Sequence, residues 1–355
     1  MIQRKDKSIL VLRFSALGDI AMTIPVLRSF FNTYPNQKII FVSRAHVEPL
    51  FKEFENLEFI GVDLERDYKG LKGLFKLFTF LRRKNIKAVA DLHNVLRTKV
   101  LRFFFNLTFT RVQSIDKGRA ERKKLTQKKN KKFKPLTPVH YRYCDVFGRL
   151  GYHVDFANHE YPIKPFLSEN SSEQILLSKT NTKKIIGIAP FASFAGKNYP
   201  LDLMQNVIAY LQKDHFVYLF GGGVNELKQI KIWESAYDNV IDAASPFNLK
   251  EQVKIINYID IMISMDSANG HIAANCGIPV LTIWGMTHPF CGFTPFDQGI
   301  DNSIMIDRNQ YPQIPTSMFG NKVPKGYEGA FRSIEPKEVI EKTLEILKRS
   351  KPHHN

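Results

Sequence analysis

Short runs of branched apolar residues recur along this chain, each closed by glycine or polar residues and followed by a helical pattern. In the first half the runs are Ile9–Phe14, Lys38–Ser43, Phe59–Val62 and Ala88–Leu92. Helical periodicity over Ile20–Tyr34, Val47–Phe54 and Gly70–Lys84 separates them. In the second half the runs are Lys184–Ala189, Val217–Phe220, Val240–Asp242, Ile259–Ser264 and Val280–Trp284, with helical segments at Leu201–Leu211, Val224–Tyr237 and Leu249–Ile256. Strands this short and apolar, alternating with helices, predict parallel sheets covered on both faces. Two such series in 355 residues predict an α/β chain of two Rossmann-like domains facing a central cleft. The expected divisions are 1–168, 169–334 and a terminal helix and tail at 335–355. Phe166–Lys179 reads as a linker containing a helix. The tail carries an amphipathic stripe (Val339, Ile340, Leu344, Leu347) expected to pack across the domain junction.

In open parallel sheets, ligands bind at the carboxyl ends of strands beside helix N-termini. The stretch Ile261–Phe293 is the richest in polar groups at such positions. Its segment Asp266-Ser267-Ala268-Asn269-Gly270-His271 follows a buried strand. The amides of Ser267–Asn269 would open a helix toward an anion, with Asp266 orienting them and His271 donating to phosphate. A single histidine on an apolar helix is more often structural, but four polar groups in six residues favour a ligand. Thr287-His288-Pro289, after the next strand, is expected to line the same pocket.

Ser193, Gly196 and Lys197 follow the first strand of the second half. A hydroxyl, a closely approachable backbone and a point charge suit a phosphate oxygen. An isolated match of this kind would be an ordinary surface loop, and it is the position at a strand end that favours phosphate. Gly221–Gly223 with Asp242 partly imitates a dinucleotide fingerprint, but the third glycine falls at Glu226. The segment reads as a strand-to-helix turn, with Glu226 a candidate acceptor of ribose hydroxyls. In the first half, Ser15, Gly18 and Asp19 close the first strand, and Asp91, His93 and Asn94 close the fourth. The local sequence of Asp19 favours a helix N-cap, which does not exclude a general base that takes a proton from a hydroxyl.

The formal charge of +17 implies polyanionic partners: nucleic acid, acidic lipid or a phosphorylated substrate. Much of it lies in Lys117–Lys134, where Glu121 is the only acid, so a mobile, solvated loop of the first domain is expected. That run lacks the interleaved aromatics of a nucleic-acid stacking platform. Cys144, Cys276 and Cys291 fall in no ligand spacing, so neither a disulfide framework nor a metal site is expected, and a reducing, cytoplasmic setting fits. The apolar start is cut short at Arg13, against a signal peptide, and no apolar run reaches membrane-spanning length.

Three islands together resemble a known family. Arg13-Phe14-Ser15-Ala16-Leu17-Gly18-Asp19-Ile20 with Pro25 is similar to the opening of glycosyltransferase family 9, the ADP-heptose:lipopolysaccharide heptosyltransferases. Asp266-Ser267-x-x-x-His271-Ile272-Ala273-Ala274, Gly277-x-Pro279-Val280 and Ile283-Trp284-Gly285-x-Thr287-x-Pro289 resemble its sugar-nucleotide motif. Lys197-x-Tyr199-Pro200 matches a third element, in the family's order. The resemblance implies a GT-B fold, with an acceptor-binding first domain and a donor-binding second domain. It implies inverting, metal-independent transfer of heptose from ADP-heptose, a co-substrate rather than a cofactor, to a lipopolysaccharide inner-core or related glycolipid. Asp19 would be the base and Lys197 would stabilise the departing diphosphate. Donor contacts would come from Ser193, Glu226, Asp266, Ser267, Ala268, Asn269 and His271, and acceptor contacts from Ser15, Gly18 and Asn94.

Two departures stand out: Ala268 replaces a common glycine, and Ala21-Met22-Thr23 lacks a histidine common after the aspartate. The second leaves the acceptor open. On this reading the basic run 117–134 would rest on the anionic inner face of the cell membrane, making the enzyme cytoplasmic and peripheral. The competing classes are a dinucleotide-dependent oxidoreductase, resting on Gly221–Gly223 and Asp242, and a basic nucleic-acid-binding protein.

Overall fold

A computed structural model describes residues 7–157, 159–167 and 183–349. The expected boundary at 168/169 and most of the expected linker lie outside these residues. The chain divides into two compact units, one formed by the residues up to Gly118 with Val139–Glu160, the other by Arg119–Pro138 with the residues from Tyr161 onward. This differs from a division near 168, because a segment from the middle of the first series belongs to the second unit.

In the first unit, β1 (Ser8–Leu12), β2 (Ile39–Ser43), β3 (Leu57–Gly61), β4 (Ile86–Asp91) and β5 (Arg111–Ser114) form a sheet in the order β3-β2-β1-β4-β5, parallel throughout. Helices α1 (Leu17–Ala21), α2 (Ile24–Thr33), α3 (Gly70–Leu81) and α4 (Leu96–Asn106) join the strands. After α5 (Arg119–Thr126) in the other unit, α6 (Val139–Arg149) returns to the first. β1 and β2 are buried along their whole length, and Leu10, Leu12, Ile40, Val42 and Val89 pack with Leu77, Phe78, Leu101 and Phe105 of α3 and α4.

The single helix expected over Ile20–Tyr34 is two. The Thr23 hydroxyl donates to the Ile20 carbonyl at 2.7 Å, and Pro25, with no N–H to continue a helix, sits in the first turn of α2. Val47–Phe54 likewise forms a 3₁₀ segment at Ala45–Phe51, which contains Pro49.

In the second unit, β6 (Ile185–Ala189), β7 (Phe216–Leu219), β8 (Val240–Asp242), β9 (Ile261–Met265), β10 (Val280–Trp284) and β11 (Ser303–Met305) form a parallel sheet in the order β11-β10-β9-β6-β7-β8. Helices α7 (Leu201–Leu211), α8 (Val224–Ala236), α9 (Leu249–Ile256), α10 (Ala268–Asn275) and α11 (Pro336–Arg349) follow. The strand order repeats the winding of the first sheet with one strand added, so both units are Rossmann-like. The terminal helix α11 packs on α7, β9 and β10, and Val339, Ile340 and Ile346 join the core of this unit. Among the described residues no helix is long and apolar enough to cross a membrane.

The basic run is not the expected mobile loop of the first domain. It opens with α5, whose Leu125 is fully buried. Lys131 Nζ then donates to the carbonyls of Leu125 (2.7 Å), Gln313 (2.9 Å) and Pro315 (2.7 Å). Burial, with a contribution from Arg308, lowers the Lys131 pKa to about 8. Phe133 lies against His288 and Phe290, and the Arg308 guanidinium sits 3.4 Å from its ring centre. Self-repulsion is overcome here by three carbonyl acceptors and two apolar anchors, while Lys123, Lys124, Lys128 and Lys129 remain solvated.

Candidate active site

In each sheet the chain winds outward from one central strand in both directions, and ligands of such sheets bind where the winding reverses. In the first unit the reversal lies between β1 and β4, whose register pairs Leu12 with Asp91. The loops carrying Arg13–Asp19 and Leu92–Asn94 therefore emerge side by side.

Arg13 is buried, donates from Nη1 to the Leu92 carbonyl at 2.7 Å, and places Nη2 2.5 Å from Asp19 Oδ2. Burial alone would depress the Arg13 pKa; the Tyr143 phenol and the Asp19 carboxylate outweigh it, and the net shift is upward. Asp19 is not an N-cap. It lies one turn inside α1, where its carboxylate accepts the Ala16 N–H at 3.3 Å, and Tyr143 donates to its carbonyl at 3.2 Å. The carboxylate is fixed yet open: 24% of the side chain is exposed, against 7% of Arg13. Ser15 and Gly18 are half-buried beside it.

Asp91, fully buried, accepts the N–H groups of His93 (2.9 Å) and Asn94 (2.8 Å) and pairs with Arg102 at 3.1 Å. Asn94 adopts φ 48°, donates to the Ile115 carbonyl at 2.9 Å and accepts from Arg102 at 3.2 Å. Its amide thus braces the loop that carries His93. Phe14 N–H approaches His93 Nδ1 at 3.4 Å, which assigns the ring proton to Nε2. Burial first, then Arg13 and Lys117, lower the His93 pKa to about 3 against an opposing pull from Asp19, so the ring is neutral near pH 7.

In the second unit the reversal lies between β6 and β9, where Ala189 pairs with Ser264. Lys197 reaches from the loop after β6 to the loop after β9, with Nζ 2.8 Å from Asp266 Oδ2 and 3.0 Å from the Asp266 carbonyl. The Thr287 hydroxyl, after β10, donates to the same Oδ2 at 2.9 Å. Gly196 makes this approach feasible: its carbonyl accepts the Met286 N–H at 2.7 Å, and a Cβ there would fall 2.4 Å from the Gly320 oxygen.

Ser267 leads extended into α10, and its hydroxyl lies 3.2 Å from Ser264 Oγ, so it leaves the start of its own helix uncapped. Ala268 and Asn269, half-exposed in the first turn, therefore offer amide N–H groups to an anion. His271 is buried one turn further on.

Ser193 is exposed on the Lys197 loop. Glu226 follows β7, the other neighbour of β6, and its Oε2 accepts the N–H groups of Gly222 (2.9 Å) and Gly223 (3.1 Å). That is the strand-to-helix turn the sequence allowed. His288 does not act with Thr287: its Nδ1 accepts the Phe290 N–H at 3.1 Å, and burial, aided by Arg308 and Lys131, lowers its pKa to about 4.

Sequence reasoning passed over Arg13 as the partner of Asp19 and the pairing of Thr287 with Asp266. Arg13 carried a signal, since it is the charge that ends an otherwise apolar strand.

Two Rossmann-like units, each winding outward from a central strand, have the GT-B fold. A profile of glycosyltransferase family 9 (heptosyltransferase) matches residues 74–324, and the chain belongs to that family. The match spans the Lys197 and Asp266 loops and begins after the Asp19 loop. A lipopolysaccharide core heptosyltransferase, OpsX of Haemophilus influenzae, is 22% identical over 84% of this chain and 84% of its own length. A family 9 glycosyltransferase from Veillonella parvula superposes with a TM-score of 0.75 at 20% identity, over 97% of this chain and 98% of that one. The Escherichia coli heptosyltransferase WaaC, solved with ADP, superposes with a TM-score of 0.64 at 17% identity, over 96% and 99%. The chain is thus an enzyme of glycosyl transfer.

Proposed function

We propose that this glycosyltransferase moves heptose from ADP-heptose onto a lipopolysaccharide inner-core acceptor in one inverting, metal-independent displacement. Asp19 takes the proton of the acceptor hydroxyl as its oxygen bonds to the anomeric carbon. The bond from that carbon to the diphosphate oxygen breaks, and ADP departs with the electron pair. Lys197 and the amides at the start of α10 receive the growing negative charge, and stabilisation of this kind is effective because the donors are already in place. Asp266, held by Thr287, aims Lys197. His271, Ser193 and Glu226 complete the donor side as phosphate and ribose contacts, and Ser15 and Gly18 border the acceptor.

The observation that carries the reading is the Lys197–Asp266 pair, 2.8 Å apart at the sheet reversal beside an open helix start. ADP in WaaC supports the choice of nucleotide, and OpsX supports the class of acceptor. The test incubates the enzyme with ADP-heptose and a heptose-free inner-core acceptor. Release of ADP matched by a one-heptose mass gain, with the anomeric configuration inverted, is the expected result. Consumption of a UDP-sugar instead, or retention of configuration, would refute it.

A further inference from the structure

The described helices α3 and α4 pack together at the side of the first sheet and leave large apolar side chains in solvent. On α3, Leu71 (69% exposed) and Phe75 (51%) are one turn apart; on α4, Leu96 (78%) and Phe103 (59%) are two turns apart, and Leu107 (64%) follows directly. Ring contacts of Phe75 with Phe104 (5.4 Å) and of Phe104 with Phe103 (5.9 Å) join the two stripes into one strip. A joined apolar surface of this kind marks an interaction site, unlike scattered single exposures.

The charge within the two helices and the strand between them is almost all positive, although Glu65 and Glu58 from outside this stretch pair with Arg97 and Lys84. Residues 70–110 contain nine Lys and Arg and a single acid, Asp91, which is buried and paired with Arg102. Lys72, Lys76 and Lys99 are exposed among the apolar residues. Aliphatic and aromatic tips set among cations match a bilayer that carries anionic headgroups over hydrocarbon. A second copy would oppose two basic faces, and nucleic acid offers little to exposed leucines.

We infer that the α3–α4 face is the surface by which this enzyme docks on an anionic bilayer, in place of the basic run 117–134. Both helices begin at the carboxyl ends of strands, the end that also carries Asp19 and His93, and Leu96 lies two residues beyond Asn94. A lipid-borne acceptor would thus be delivered at the rim of the first unit's reversal. This purpose rests on the glycolipid reading above; the docking itself does not.

The test is co-flotation of the full chain with phosphatidylcholine vesicles, with and without phosphatidylglycerol. Wild type is expected to float only with the anionic vesicles. Leu71→Ser/Leu96→Ser/Leu107→Ser, at sites with little packing to lose, and Lys72→Gln/Lys76→Gln/Lys99→Gln should each weaken partitioning at least about tenfold. Lys123→Gln/Lys124→Gln/Lys128→Gln/Lys129→Gln should change it less than about threefold. Equal flotation of the face variants and wild type overturns the proposal. So does loss confined to the 123–129 variant, or a dimer seen by sedimentation that the face variants abolish. The face variants should also keep transfer to a lipid-free acceptor while losing it on a vesicle-borne one. A wild type that floats but glycosylates neither acceptor would sink the glycolipid reading and leave the docking face standing.

Discussion

The two sheet reversals are built alike and charged oppositely. In the first unit the accessible group is an anion, Asp19, steadied by the more deeply buried Arg13; in the second it is a cation, Lys197, steadied by the more deeply buried Asp266. In each, the hidden partner also holds the neighbouring strand's loop, Arg13 through the Leu92 carbonyl and Asp266 through Thr287. The scaffold thus supplies a place, and the buried counter-charge decides which sign is presented there. Under the proposed function an acceptor hydroxyl needs a proton acceptor and a departing diphosphate needs a cation, and the opposition of charge fits that division.

The strongest way to break the comparison is Asp19→Asn. If Asp19 is the base, as proposed, its loss should lower kcat by about 10²–10⁴-fold, while calorimetric ADP affinity, which the proposal assigns to the second unit, stays within about twofold. Turnover near wild type would remove Asp19 from the chemistry. Lys197→Met should weaken ADP binding at least about tenfold and, by leaving the nearly buried Asp266 without its partner, cost roughly 3 kcal/mol of stability. Adding Asp266→Asn should restore most of the melting temperature but not the ADP affinity, which separates the structural role of the pair from its ligand role.

A third comparison uses the two depressed histidines. With folded pKa values near 3 for His93 and 4 for His288 against about 6.5 unfolded, the unfolded chain binds more protons in that window. Stability is therefore full above about pH 6.5 and falls toward pH 4, by up to about 1.4 kcal/mol per pH unit for each histidine. His93→Gln and His288→Gln should each flatten the denaturation-midpoint profile on the acid side. An unchanged profile would show that the rings are accessible to protons. The smallest effect belongs to Thr287→Val, which removes one hydrogen bond to Asp266. About 1 kcal/mol of stability and a two- to threefold loss of ADP affinity are expected.

Sequence made the sheets legible where strands are buried along their length. Runs such as Ile9–Leu12 and Val280–Trp284 carry no alternation, because both faces are covered. It missed β5, where Arg111 is exposed and Gln113 half-buried, and β11, only three residues long. One helix became two because Thr23 and Pro25 act through single hydrogen-bonding groups that an apolar pattern does not register. Asp19, Lys197 and Asp266 were legible as polar residues directly after strands. Their partners were not, since the pairing of Lys197 with Asp266 depends on β6 and β9 being neighbours, a property of the strand order. Lys131 was hidden for another reason: composition averages a basic run, whereas burial of one lysine depends on where three carbonyls point.

The placement of Arg119–Pro138 in the second unit has a consequence for how such chains can be recombined. The backbone passes between the units three times, after Gly118, Pro138 and Glu160. A single exchange with a relative near residue 160 would leave the Lys131 ammonium and the Phe133 ring facing Gln313, Pro315 and Phe290 of foreign sequence. Chimaeras that exchange the second unit should therefore carry 119–138 along with the second half, so that unit is discontinuous in the gene.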